Sequence, residues 1–240
     1  IFKYYCGKYI GAFYEVATIC MLFLVTVTMV SGAGSIFAQY FGIPDVAGRV
    51  IMCVLILVSV LAGVRRLLDI LGPLGPVIVV GLIVIAVVAI AGNPSGLATA
   101  PEFIENCDPP MLKASGFWLL SGILYGVMNI YPLSSYGSAL GANSSSRKEA
   151  IIGAGIGCLA LALGAACVTL SQLANIDIVY NQDIPTLALV AHYMPPAVAV
   201  VFAIILLLGI YTTVTPNLWA VAQSFGEDRS KRYTIVTIAA

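Results

Sequence analysis

Four polar side chains crowd one proline inside an otherwise apolar stretch. Asn129, Tyr131, Ser134 and Ser135 flank Pro132 within FWLLSGILYGVMNIYPLSSYGSALGA, residues 117–142. Proline has no amide hydrogen and crowds the carbonyl four residues back. It also pushes the residue before it, Tyr131, away from the helical region. The spacing therefore predicts two half-helices with opened backbone from Asn129 to Pro132. In hydrocarbon an unsatisfied peptide group is expensive, so such a break persists only when buried in protein or facing water. Freed carbonyls and half-helix ends can then hold a cation or a charged solute group. The competing reading is a proline kink, with the same side chains bonding between helices.

A second group has the same logic. Thr212, Thr213 and Thr215 precede Pro216 and Asn217. Their hydroxyls are hard oxygen ligands of the type a hard cation takes, but threonines also bond back to their own helix carbonyls. Glu15 lies well inside an apolar run, where an ionised group is costly and raises a functional hypothesis such as proton coupling; pairing with Lys8 is the structural alternative. Gly32, within Ser31-Gly32-Ala33-Gly34, suits close backbone approach by a neighbouring helix or a ligand. Gln39, Gln223 and Tyr136 read as packing residues, and His192 as solvated. Trp118, Trp219 and Tyr193 fit aromatic belts at a membrane interface.

Other chemistries are missing. There is no Gly-x-Ser-x-Gly, no phosphate-binding loop and no metalloprotease spacing, so the chain is not read as an enzyme and no metal is expected. Net charge is zero with no basic run, which argues against a nucleic-acid partner. Cys6, Cys20, Cys53, Cys107, Cys158 and Cys167 lack ligand or disulfide spacing and read as small packing residues.

The elements that must position these residues are membrane spans. The chain is 60% hydrophobic and 9% charged, with mean hydropathy +1.02, far from a soluble composition. It reads as an all-α, polytopic membrane domain in contact with a lipid bilayer. Spans are expected at about 10–41, 50–64, 77–92, 117–142 (broken), 150–173 and 197–225 (broken), with a further one starting at 233–240. Ser31 to Gly34 should interrupt the first late. Residues 67–76, with Gly72, Pro73, Gly75 and Pro76, should turn the chain back, and the third span should meet lipid or apolar neighbours. Residues 93–116 and 174–196 read as polar outer loops, the second with a short surface helix over 184–193. Asn143 to Glu149 carries a helix start signal. Gly122 with Gly126, and Gly153 with Gly157, have the small-xxx-small spacing of close helix contacts. The chain starts at Ile1 and stops within an apolar run, so a longer parent is expected.

Charge sets an orientation. With the N-terminus inside, Lys3, Lys8, Arg65, Arg66, Arg147, Lys148, Arg229, Lys231 and Arg232 lie inside, against Arg49 and Lys113 outside. The cytoplasmic side of a membrane collects such residues. An internal echo runs alongside. Thr26-Val27-Thr28 and Phe37-Ala38-Gln39-Tyr40-Phe41-Gly42 are matched by Thr213-Val214-Thr215 and Val221-Ala222-Gln223-Ser224-Phe225-Gly226. These spans cross in opposite directions in this topology, the pattern of an inverted repeat.

GKYIGAFYE (7–15), TVTMVSGAGSIFAQYFG (26–42) and NIYPLSSYGSALG (129–141) resemble the YkvI-like family of uncharacterised bacterial membrane proteins. That family is similar to the amino acid–polyamine–organocation superfamily, with its LeuT-like fold. The resemblance covers essentially the whole chain. It implies a partial inverted-repeat bundle holding core helices three to eight and the start of nine, in a bacterial plasma membrane. It further implies substrate contact by Asn129, Tyr131, Ser134, Ser135 and Gly32, and sodium ligation by Thr212, Thr213 and Thr215. The implied activity is secondary-active transport of a small polar solute, such as an amino acid, coupled to sodium or protons. Core helix one, which normally supplies half the ligands, is missing here, so the site is half a site. A solute-sensing receptor with a transporter fold, like the germination receptors, and a structural membrane subunit are the alternatives. Oligomeric state stays open.

Overall fold

The computed structural model describes residues 2–62, 64–111, 114–226 and 230–239, and side chains within them except at 2–3, 62, 64–73, 131–136, 138–140, 143 and 239. The described elements are helices: α1 (Phe2–Phe41), α2 (Asp45–Ala62), α3 (Val64–Gly92), α4 (Gly96–Asn106), α5 (Trp118–Asn143), α6 (Arg147–Ala174), α7 (Ile176–Val179), α8 (Pro185–Tyr193), α9 (Pro196–Gln223) and α10 (Lys231–Ala239). Four are long and apolar enough to cross a membrane. The protein is an all-α polytopic membrane protein.

The core is built on α1, α2 and α9. Leu22 of α1, Met52, Ile56 and Val60 of α2, and Val214 and Leu218 to Ala222 of α9 share one buried cluster with Tyr233 of α10. Nearer the other end, Ile36 meets Leu187 and Val190 of α8 and Ala199, Phe202 and Ala203 of α9. Early α1 thus packs on late α9 and late α1 on early α9, so the two run antiparallel. Gly42 has φ 65, a left-handed conformation open to glycine at little cost. It ends α1 and turns the chain into α2. There Gly34 lets α2 lie directly on α1, for a Cβ on it would stand 2.9 Å from the Asp45 carbonyl oxygen and 2.8 Å from Arg49 Cγ.

Interhelical hydrogen bonds close both ends. At one, Tyr40 donates to the Leu187 carbonyl at 3.2 Å and Asn93 Nδ2 to the Ala174 carbonyl at 2.8 Å. Buried Asn175 donates to the carbonyls of Ala89 and Ser171 and accepts from the Tyr193 hydroxyl. At the other end Tyr233 donates to the Val60 carbonyl at 3.0 Å. The helices alternate in direction, and the ends differ in charge. Asp45, Glu102, Glu105, Asp108, Asp177 and Asp183 lie at the first end with Arg49; Lys8, Arg147, Lys148, Lys231 and Arg232 lie at the second.

Several expectations need correction. Both spans expected to be broken are continuous: α5 runs from Trp118 through Pro132 to Asn143, and α9 passes through Pro216. Magnitude gives the reason. An interior proline costs about 3 kcal/mol, whereas unwinding a membrane helix frees several peptide groups at several kcal/mol each. On α9 the residues from Val214 to Ala222 are also all buried, so packing holds the helix past its proline. Residues 31–34 do not interrupt α1; its non-helical position is Gly7, at φ 75 and ψ 178. The expected turn over 67–76 is helical and belongs to α3. The loop after α3 contains α4. The helix over 185–193 is present, but Leu187, Leu189 and Val190 are fully buried, so it is a wedge between larger helices and not a surface helix.

Candidate functional site

Asn129 is exposed on α5, and its Nδ2 donates to the Tyr125 carbonyl at 2.8 Å. Tyr131, Ser134, Ser135 and Tyr136 lie within the α5 helix, but their side chains are outside the described residues. On α9 each threonine hydroxyl bonds back. Thr212 and Thr213 donate to the Gly209 carbonyl, both at 2.9 Å, and Thr215 to the Tyr211 carbonyl at 2.6 Å. Thr213 is exposed, whereas Thr215 is fully buried. A donating hydroxyl keeps lone pairs, so back-bonding leaves acceptor capacity in each oxygen.

Glu15 is half-buried on α1 and does have an interaction partner. A Cβ on Gly32 would meet nothing within 4 Å, so the tight contact expected of its motif is made by Gly34 instead. Gly122, Gly126, Gly153 and Gly157 likewise face open space and make no close helix contact. Among the described residues, helix α5 touches α1, α6 and α9 only lightly. Of the proposed site residues whose side chains are described, Thr215 is buried in the α1–α2–α9 bundle, Thr213 is exposed on α9 and Asn129 is exposed on α5.

Other assignments shift as well. Trp219 and Tyr193 are not belt residues: Trp219 is buried in the main cluster, and Tyr193 packs on Gly92 and bonds Asn175. Trp118 is 78% exposed at the start of α5. Cys6, Cys20, Cys53 and Cys158 are exposed, so they are not interior packing residues; all six cysteines are free. His192 is exposed, with its ring edge-on to Tyr193.

Two open clefts lie at the acidic end. One, of about 440 Å³, is bordered by α4 and the end of α6, with Asn93, Thr99, Glu102, Phe103 and Asp177 in its wall. The other, of about 670 Å³, lies between the end of α1, the start of α2 and the turn after α7. Its lining is nearly all polar: Ser35, Gln39, Asp45, Arg49, Asn181, Gln182 and Asp183, with Ala38. Between the clefts, Tyr180 donates to the Pro109 carbonyl. Desolvation pushes its phenol above the ordinary 10.0, with neighbouring Cys107 and Asp108 raising it further. Neither Asn175, which joins three helices, nor the Arg49 cleft stood out in the sequence. An asparagine just past a span reads as loop, and a lone arginine in an outer segment reads as an exception to charge bias.

These features lie in a chain with a bacterial relative. It is similar to a membrane protein. The relative is the uncharacterized membrane protein YkvI of Bacillus subtilis (strain 168), 29% identical over 234 residues. The match covers 94% of this chain and 62% of YkvI, so the chain spans less than two thirds of that protein's length. This supports a YkvI-like membrane family. No family model matches the chain, and no solved structure matches it.

Proposed function

We propose that the chain is part of a secondary-active transporter for a small polar solute, such as an amino acid, driven by sodium or protons. It would be a partial LeuT-like bundle in a bacterial plasma membrane, with its basic end in the cytoplasm. One observation carries the reading: the two helices that share a sequence echo, α1 and α9, are antiparallel and pack along each other through the core. Inverted repeats facing one another are a common transporter architecture. The echo spacing differs by three residues, 26 to 37 in one and 213 to 221 in the other. That is just under a turn of about 3.6 residues, so the motifs keep nearly the same face.

The opened backbone no longer forms part of the mechanism. Movement is assigned to α5 and the first half of α6, which are lightly held, against the packed α1–α2–α9 bundle. Alternating access by rocking of one bundle on another needs such a division. Solute contact is assigned to Asn129, Tyr131, Ser134 and Ser135, with Gly32 bordering open space on α1. The buried Thr215 hydroxyl, helped by Thr212 and Thr213, is assigned to the coupling ion, and Glu15 to proton coupling if the driving ion is a proton.

Uptake of labelled amino acids into proteoliposomes containing the full-length protein tests this, under an imposed sodium or proton gradient. Gradient-driven accumulation that falls in Thr215→Val is the expected result. Saturable binding without accumulation supports the receptor reading instead, and loss of neither property in Thr215→Val and Asn129→Ala refutes the placement.

A further inference from the structure

We propose that the polar cleft beside Arg49 binds a free amino acid or similar small zwitterion at the acidic end of the protein. The inference rests on the solute class proposed above, but not on transport.

Arg49 is out of place by charge. Among the described residues, the acidic end carries six carboxylates and this one Lys or Arg side chain. It pairs with Asp45 one turn earlier, yet its side chain keeps 45% exposure. That exposed part lines the cleft of about 670 Å³, within the range of roughly 300–1,000 Å³ that small-molecule sites occupy. A guanidinium holding one carboxylate still has N–H donors to spare, and its planar fork matches a second carboxylate. Asp183 lines the same cleft and supplies a charge for an ammonium group. Gln39, Ser35 and Asn181 add neutral donors and acceptors. The wall therefore offers a cationic fork, an anionic group and neutral hydrogen-bonding groups, the set that an α-amino acid head requires. Gly34 makes this arrangement possible, because any Cβ there would push the Asp45–Arg49 turn off α1. Among the described lining residues Ala38 is the one apolar side chain, so little selection among side chains is expected.

The test is equilibrium binding of tritiated L-alanine, L-glutamate and L-lysine to the full-length protein in nanodiscs. Saturable binding of all three is expected, with L-alanine methyl ester failing to compete. Arg49→Gln should weaken all three by about tenfold or more, as loss of a charge-assisted pair does. Asp45→Asn keeps the arginine and frees it, so affinity should rise by roughly threefold, the scale of a partly exposed ion pair. A purely structural Asp45–Arg49 pair would make both variants fail alike, and that outcome overturns the proposal. So does unchanged affinity in both Arg49→Gln and Asp183→Asn, equal competition by the ester, or no saturable binding of any probe. Gradient-driven uptake with unaltered KM in Arg49→Gln would sink the cleft but leave transport standing. Binding that needs Arg49, without accumulation, would do the reverse.

Discussion

The α1–α2–α9 bundle and the pair formed by α5 with the first half of α6 have similar apolar sequences and opposite surroundings. In the bundle, Leu22, Val60, Phe202 and Val214 are at most 1% exposed. On the pair, Ile123, Met128, Ile130, Ile156 and Leu159 are all more than half exposed. Glycines show the same contrast. A Cβ at Gly48 would lie 2.9 Å from Phe37 Cδ2, whereas one at Gly126 or Gly153 would touch nothing within 4 Å. Hydropathy places a helix in a membrane, but it does not say which helices will be its neighbours. Lipid chains are as apolar as leucine, so hydrophobicity alone gives one helix no preference for another.

Six substitutions would break or sharpen this contrast, each read by thermal unfolding in detergent. Phe202→Ala should cost the most, about 3–5 kcal/mol for an emptied aromatic site. Ile156→Ala on the exposed half of α6 should stay within about 0.5 kcal/mol; equal losses would mean that the pair is packed after all. Asn175→Ala should follow, at about 1–3 kcal/mol, because it leaves the Tyr193 hydroxyl without its acceptor and cuts the tie to the Ala89 carbonyl, which keeps the Asn93 amide. Glycine substitutions should then differ in sign. Gly34→Ala overpacks the α1–α2 contact, at a cost of about 1–3 kcal/mol, whereas Gly126→Ala should stabilise α5 by roughly 0.5–1 kcal/mol through helix propensity. A loss at Gly126 would reveal a neighbour for that face. Ser146→Ala comes next. It removes the cap that accepts from the Glu149 amide at 3.2 Å, at about 1 kcal/mol or less, since the site is exposed.

The sequence carried the helical class and the presence of long apolar helices, because both follow from local composition. The start of α6 was legible for the same reason: the Ser146 hydroxyl accepts from the Glu149 amide, and Glu149 Oε2 reaches back to accept from the Ser145 amide at 3.0 Å, one residue before the cap. Pro132 and Pro216 misled, because a missing amide signals the cost of a helix and not the larger cost of the alternative. The short helices α4 and α7 were hidden in segments that look like loops, and for α8 the helix was legible but its burial was not. They are held by contacts with residues far along the chain, such as Leu187 with Tyr40. At the candidate site the threonines were visible as a group, and their inward or outward direction was not: Thr213 and Thr215 are two residues apart and differ completely in exposure. The Arg49 cleft joins residues 35–49 to 181–183, a separation that no local pattern reports.

The short wedge α8 has a mechanical consequence. Through Tyr40, Gln172, Tyr193 and the cluster around Leu187, it stitches α1, α3, α6 and α9 together at the acidic end. At the basic end the Tyr233 and Tyr211 hydroxyls tie α10 and α9 to α2. A helix as short as α8 is held by its neighbours and not by its own turns. It should therefore open only when the seam opens, so amide exchange at Leu187 and at Asn175 should slow or quicken together.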